Sequence, residues 1–282
     1  MKRILTIQDF SCLGKCSASV ALPVISAMGI ETVVLPSAIL SSHTAFPSFE
    51  KVDTADMISR FVKHWESEKL HFDGIYIAYL GSIEAIQVAN EIIDIYADED
   101  TFVMIDPVLG DEGCLYTGFD DNYKEEIMKL CKRADLITPN FTEALLMVGE
   151  DVSILNTLKK SDHFEEVLLE KMKAQGFDRA VITSVDRRGD CDDEISILAY
   201  DKKTSYHITH EKLNILFPGT GDLFSSTLFG ALINGKSMGR AMEIAYKFIL
   251  KAIKITLEEK NHNWYGVNFE KAIPYLLDLI NR

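Results

Sequence analysis

The sequence predicts an α/β fold, a mainly parallel sheet covered by helices on both faces, in a single domain over residues 1–282. Three observations carry this. Short apolar runs alternate with longer amphipathic ones, which is the pattern of repeated β–helix–β units. Polar and glycine-rich residues gather directly after the apolar runs, where an open α/β sheet places its chemistry. After residue 210 the pattern turns to helices alone.

The first apolar run, 3–8, ends in Gln8-Asp9 and is followed by a helical pattern at 17–28. Pro23 lies inside that pattern, so a kink or a late start is expected there. Strand runs follow at 32–40, 74–79, 102–106, 136–138 and 180–183, separated by helical patterns at 54–68, 83–96, 122–132, 142–148 and 162–175. Right-handed crossovers are expected between them. Two further strand runs, 195–200 and 205–210, flank a polar stretch at 186–194 on one side and precede three helices at 221–233, 238–258 and 268–280. The polar stretch reads as an exposed loop or hairpin connection. Ser237 and Asn268 are placed to cap the last two helices. There is no internal repeat, linker or low-complexity tract.

Composition narrows the function. The chain is 47% hydrophobic and 26% charged, enough apolar material for a sizeable core. With 29 Lys and Arg against 43 Asp and Glu, the net charge is −14, and no basic stripe tracks a phosphate backbone; nucleic acid is not an expected partner. An acidic protein that takes an anionic nucleotide must neutralise it locally, through a divalent cation and backbone amides. Five scattered cysteines without a CxxC pair fit a reducing cytoplasm. No apolar stretch is long enough to span a membrane, and the N-terminus reaches polar Gln8-Asp9 too early for an export signal.

Four motifs carry chemistry. Phe217-Pro218-Gly219-Thr220-Gly221-Asp222-Leu223-Phe224-Ser225-Ser226 is a glycine turn running into an apolar helix. The free N–H groups of such a first turn point at an anion, with the helix dipole behind them. Asp222 reads either as the helix N-cap or as a base beside a phosphoryl group. Asp106-Pro107-Val108-Leu109-Gly110-Asp111-Glu112-Gly113 places acids directly after a buried strand, where Asp106 and Asp111 suit Mg²⁺ and its waters. Thr138-Pro139-Asn140-Phe141-Thr142-Glu143-Ala144 opens a helix; Asn140 or Thr142 can cap it, and the Asn140/Glu143 pair can organise metal-bound water. Thr183-Ser184 offers two hydroxyls at a strand end to a nucleotide phosphate. Thr44 and Tyr79 are weaker signals, as a donor to a heteroaromatic ring and a cover for its face. The P-loop, dinucleotide, protein-kinase and GxSxG signatures are all absent.

In that order, DPVLGDEG at 106–113, TPNFTEA at 138–144 and FPGTGDLFSS at 217–226 resemble the pyridoxal (vitamin B6) kinases of the ribokinase superfamily. The resemblance includes Thr6-Ile7-Gln8, Ser42-His43-Thr44 and Tyr79-Leu80-Gly81-Ser82 and covers nearly the whole chain. It implies a ribokinase-like three-layer α/β/α domain and ATP-dependent phosphorylation of the 5′-hydroxymethyl group of pyridoxal, pyridoxamine or pyridoxine. By the same resemblance Asp222 is the base, and Gly219, Thr220 and Gly221 form the anion hole. Asp106, Asp111 and Glu143 serve Mg²⁺, while Asn140, Glu143, Thr183 and Ser184 lie at ATP. Thr44, Tyr79 and Tyr116 lie at the pyridine ring, with a homodimer and a monovalent cation such as K⁺ as further family traits. The chain departs from the family at the vitamin pocket. Many B6 kinases carry Ile-Gln-Ser where this chain has Ile7-Gln8-Asp9, with Ser11 two positions on, so Asp9 and Ser11 are the candidate ring contacts. Hydroxymethylpyrimidine kinase of thiamine synthesis is the alternative activity, and a non-catalytic B6-binding protein the alternative class.

Overall fold

The computed structural model describes residues 1–152, 164–185, 194–202, 204–213 and 215–282. Most of the polar stretch 186–194 and the start of the helix expected at 162–175 therefore lie outside the described residues. The chain divides into two compact units, Met1–Val103 with Phe217–Arg282, and Met104–Leu216.

In the first unit, β1 (Arg3–Ser11) is central. It pairs in parallel with β2 (Glu31–Leu40) on one side and β4 (Gly74–Ile77) on the other. The short β3 (Lys51–Asp53) pairs antiparallel with the end of β2 and was not expected from sequence. All three of its residues are exposed, so it has no apolar run to announce it. The helices α1 (Ala18–Ala27), α2 (Ala55–Glu66), α3 (Ile83–Tyr96), α7 (Thr220–Ile233), α8 (Met238–Glu258) and α9 (Phe269–Asn281) belong to this unit. Helix α1 starts at Ala18 and accommodates Pro23 in its interior. Ser237 caps α8 as expected, accepting from the Arg240 N–H, but Asn268 makes no cap for α9. Its side-chain oxygen instead accepts from Lys15 Nζ at 3.0 Å.

Helix α7 is the core of the unit. Ten of its residues are buried, and two glycines let it close on its neighbours. A Cβ on Gly230 would lie 2.0 Å from Met28 Cε, and one on Gly74 of β4 would lie 2.6 Å from Ile233 Cδ1. The helix that carries the glycine turn is thereby held at close range on two sides.

In the second unit, β5 (Phe102–Ile105, entering from the first unit), β8 (Leu136–Ile137) and β9 (Arg179–Val185) pair in parallel in that order. The sheet then continues antiparallel through β10 (Glu194–Asp201) and β11 (Thr204–Glu211). Helices α4 (Asp121–Cys131), α5 (Phe141–Val148) and α6 (Phe164–Ala174) complete it. A two-residue hairpin, β6 (Gly110–Asp111) with β7 (Cys114–Leu115), lies inside the acidic loop and is too short to show a period. The result is an α/β fold with a mostly parallel sheet flanked by helices. Among the described residues no helix is long and apolar enough to cross a membrane.

Candidate active site

In the first unit the site begins at the turn before α7. Gly219 is the N-cap residue with φ +80°, a conformation that glycine adopts without strain. A Cβ there would meet the Lys15 carbonyl oxygen at 1.8 Å, so a side chain is excluded by space as well as by backbone angle. Asp222 is thus not the N-cap; it stands in the first turn of α7, three residues on. Thr220 donates its hydroxyl to the Phe217 carbonyl at 3.2 Å, and the first helical bond is Leu223 N–H to the Gly219 carbonyl at 3.0 Å. The N–H groups of Thr220, Gly221 and Asp222 precede that bond and have no acceptor within the helix.

The Lys15 loop that packs on this turn is fastened by the main chain of Tyr265. Its carbonyl accepts from Lys15 N–H at 3.4 Å and lies 3.3 Å from His43 Nε2. His43 Nδ1 accepts the Ala45 N–H at 3.1 Å, which leaves the proton of the neutral ring on Nε2 to donate to Tyr265. His43 N–H in turn donates to the Leu13 carbonyl at 3.0 Å, and the ring packs edge-on against Phe46 and Trp264. Burial lowers the His43 pKa. The histidine is a clasp between two loops. Thr44, its neighbour, is exposed on the turn. Tyr265 had no sequence signal, because a carbonyl belongs to every residue alike.

Asp9 and Ser11 lie toward the end of β1, 4% and 1% exposed. Ser11 Oγ donates to Asp9 Oδ2 at 2.9 Å, and Ser17 adds a second hydroxyl bond. Burial raises the Asp9 carboxyl above its ordinary range against the pull of these hydroxyls. The half-buried Tyr79 hydroxyl feels the charge of Asp9. The Cys16 thiol, pushed up mainly by burial, feels both Asp222 and Asp9. Cys16 also adjoins the glycine turn, its Cα 3.2 Å from where a Cβ on Gly219 would stand, so Asp9 and the turn that carries Asp222 neighbour the same residue. Lys51, whose Nζ donates to the Gly81 carbonyl at 3.3 Å, adds a weak favourable charge toward Asp9.

In the second unit the acidic loop and the TPNFTEA segment form one locked piece. Asn140 and Glu143 make a reciprocal capping box at the start of α5. Glu143 Oε2 accepts Asn140 N–H at 2.8 Å, and Oε1 accepts Leu109 N–H at 2.8 Å and Gly110 N–H at 3.4 Å. Asn140 Nδ2 donates to the Gly110 carbonyl at 2.8 Å, and Thr142 Oγ1 accepts Gly113 N–H at 3.1 Å. Asn140, not Thr142, is therefore the cap. Thr183 joins the same piece through a bridge to Asn140 and an N–H bond to the Pro139 carbonyl. Glu143 is 2% exposed and its carboxyl is held well above the usual range, first by burial and then by the charge of Asp106, which is 8% exposed.

Asp111, Tyr116 and Ser184 are exposed in this unit. Of the six described non-glycine residues with positive φ, Ser17, Val108 and Glu112 fall in these site loops and Ser184 near the end of β9. Such concentration of backbone strain is a mark of functional loops. Among the described residues no three Asp, Glu, His or Cys side chains come together as a metal cluster. The Asp106/Glu143 pair still suits a hard divalent cation, since two neighbouring buried carboxylates carry an excess of charge that such an ion relieves.

The sequence profile of the phosphomethylpyrimidine kinase family matches residues 22–266. The chain belongs to that family. It is a kinase with a ribokinase-like fold, and pyridoxal kinases are prominent among the relatives of this phosphomethylpyrimidine kinase family member. A candidate phosphomethylpyrimidine kinase from Bacteroides thetaiotaomicron, crystallised with pyridoxal, is 34% identical, with a TM-score of 0.90 over 98% of this chain and 95% of that one. The pyridoxal kinase from Lactobacillus plantarum is 29% identical, with a TM-score of 0.87 over 99% and 98%. The pyridoxine/pyridoxal/pyridoxamine kinase of Bordetella avium is 25% identical over 90% of this chain and 85% of its own.

Proposed function

We propose that the protein transfers the γ-phosphoryl group of ATP to the 5′-hydroxymethyl group of a B6 vitamer. The observation that carries this reading is Asp222 in the first turn of α7, beside N–H groups presented by a turn that only glycine can make. A carboxylate within an anion cradle has a use when a hydroxyl must lose its proton as it attacks phosphorus. The pyridoxal-bound Bacteroides relative and the vitamer range of the Bordetella kinase support the choice of acceptor.

In this reading the first unit handles the acceptor and the proton. Asp222 takes the hydroxyl proton, the new bond forms between that oxygen and the γ-phosphorus, and the bond to the β–γ bridging oxygen breaks. The N–H groups of Thr220, Gly221 and Asp222 meet the charge that develops on the phosphoryl oxygens. Tyr79 and Thr44 bound the ring. The second unit handles the nucleotide: Asn140, Thr183 and Ser184 contact phosphates, and Glu143 fixes the loop that presents Asp106 and Asp111. Asp106, with Glu143 acting through water because its oxygens already hold three N–H groups, would hold Mg²⁺, which supplies neutralisation of the triphosphate.

Phosphorylation of the hydroxymethylpyrimidine of thiamine synthesis is the second reading, favoured by the family profile and by Asp9 at the ring end. ATP consumption measured with pyridoxal, pyridoxamine, pyridoxine and the pyrimidine alcohol decides between them: a B6 vitamer is expected to give the highest kcat/KM, and a pyrimidine preference would reverse the ranking. Tight vitamer binding without any ATP use would point to a carrier instead. Asp222→Asn is expected to lower kcat by about 10²–10⁴ with nucleotide affinity retained; near-normal turnover would remove Asp222 from the role of base.

A further inference from the structure

We propose that Asp9 makes this pocket select acceptors that carry a cationic N–H donor, on the ring nitrogen or on an aminomethyl substituent. The proposal rests on the reading of the first unit as an acceptor site. Its starting point is a carboxylate whose charge is incompletely answered by the protein. Asp9 is 4% exposed, its direct partners are the hydroxyls of Ser11 and Ser17 and its own N–H, and among the described residues no lysine or arginine forms an ion pair with it. These neutral donors, two hydroxyls and one N–H, satisfy hydrogen bonds without supplying a formal positive charge, and a buried carboxylate in that condition is costly to maintain. Lys51 contributes the smallest of the stabilising effects on Asp9, and its ammonium is engaged at the Gly81 carbonyl.

The backbone at this residue is also irregular. The β1–β2 register slips between Gln8 and Phe10, so that Gln8 pairs with Pro36 but Phe10 with Ile39. Slips of this kind re-aim side chains beside functional sites. Asp9 stands at that slip, within charge range of the Tyr79 hydroxyl and of the same Cys16 thiol that feels Asp222. Cys16 also stands beside the glycine turn, so the two carboxylates near it are assigned different purposes. Asp222 receives a proton from the acceptor hydroxyl; Asp9 is matched by a cation that the acceptor brings with it. A hydroxyl at the place of Asp9 could donate to a neutral ring nitrogen or accept from a protonated one, whereas a carboxylate only accepts and so favours the protonated one.

The experiment compares wild type with Asp9→Asn, which keeps the size of the side chain and removes its charge. Pyridoxine, pyridoxamine and the ring-carbon analogue of pyridoxine, in which CH replaces the ring nitrogen, are titrated by calorimetry and assayed for turnover. Charge-assisted hydrogen bonds of about 1.5–3 kcal/mol correspond to a roughly 10- to 150-fold change. The expected result is a rise of that order in Kd and KM for pyridoxine in Asp9→Asn, carried by KM more than by kcat, with the KM for ATP unmoved. In wild type the ring-carbon analogue is expected to bind at least about tenfold more weakly than pyridoxine, and in Asp9→Asn the gap should close. A loss confined to pyridoxamine would assign the cation to the aminomethyl group. Equal binding of pyridoxine and its analogue by wild type overturns ring-nitrogen recognition even if the variant fails to fold, and equal binding of pyridoxamine as well overturns the proposal. Wild-type protein that neither binds nor phosphorylates any vitamer defeats the acceptor assignment itself, a result distinct from normal turnover with no effect of Asp9.

Discussion

Glu143 in the second unit commits both carboxylate oxygens to three backbone N–H groups from two separate segments, whereas Asp9 in the first meets two side-chain hydroxyls and its own N–H. Both are buried and both are held above the ordinary carboxylate range. The difference lies in what answers the charge. Around Glu143 the answer is built in: the carboxylate caps α5, pins the acidic loop and leaves little capacity for a ligand. Around Asp9, on the proposed reading, the formal positive charge comes with the ligand that enters. Burial and the number of donors therefore do not separate a scaffold carboxylate from one proposed for recognition; what differs is that the donors of Glu143 are main-chain groups that tie two segments together.

The largest effect that tests this contrast is truncation at Glu143. Glu143→Ala would leave three N–H groups without their acceptor, and the expected loss is about 3 kcal/mol of stability or more, read by urea unfolding. Glu143→Gln retains an oxygen for Leu109 and Gly110 while removing a desolvated charge, so its loss should be near 1 kcal/mol or less. If the two variants were equally unstable, charge rather than bond geometry would hold the loop, and the contrast with Asp9 would break.

Much of this contrast was visible in the sequence, and the rest was hidden for identifiable reasons. The helix at 83–96 and that at 238–258 coincide with α3 and α8, because long amphipathic periods with capping serines at both starts leave little ambiguity. Strands β3, β6 and β7 escaped notice because two or three residues cannot show a period. The placement of Asp222 in the first turn after a glycine and of Asn140 and Glu143 at the start of a helix was legible because glycine turns and helix caps have sequence signatures. The fastening of Glu143 to Leu109 and Gly110, and of Lys15 and His43 to Tyr265, involves backbone groups far apart in the chain. No residue type encodes those partners. Asn268 was misread for a similar reason: a suitable cap residue was taken instead by Lys15.

A middle-sized effect sharpens the comparison from the side of the glycine turn. Gly219 and Gly235 both have φ +80°, yet a Cβ on Gly219 meets the Lys15 carbonyl at 1.8 Å, while one on Gly235 meets nothing within 4 Å. Gly235→Ala should lose about 1 kcal/mol, the strain of the left-handed angle alone. Gly219→Ala must also displace the Lys15 loop, so about 2–3 kcal/mol and a large fall in kcat are expected. Equal losses in stability, with turnover intact, would show that the Lys15 loop yields freely and that the first unit's wall is less rigid than the second's.

The smallest expected effect is the most diagnostic, because the two regions should respond to pH with opposite sign. Burial lowers the His43 pKa from its ordinary 6.5, so below that value the unfolded chain binds the proton more readily, and stability is lost as pH falls through 6.5 toward the folded value. Protonation at Nδ1 would also remove the acceptor of the Ala45 N–H. Glu143 is shifted upward from 4.5, so here the folded protein holds the proton more readily, and stability is lost as pH rises above 4.5. Urea midpoints measured from pH 5 to 8 should thus lose their acid-side decline in His43→Gln and part of their alkaline-side decline in Glu143→Gln. Because His43 joins the Leu13 carbonyl to the Tyr265 carbonyl that also holds Lys15 N–H, the acid-side loss should be accompanied by weaker vitamer binding. An acid-side decline that persists undiminished in His43→Gln would mean that another group senses acid and that the clasp between the two loops does not depend on the neutral ring.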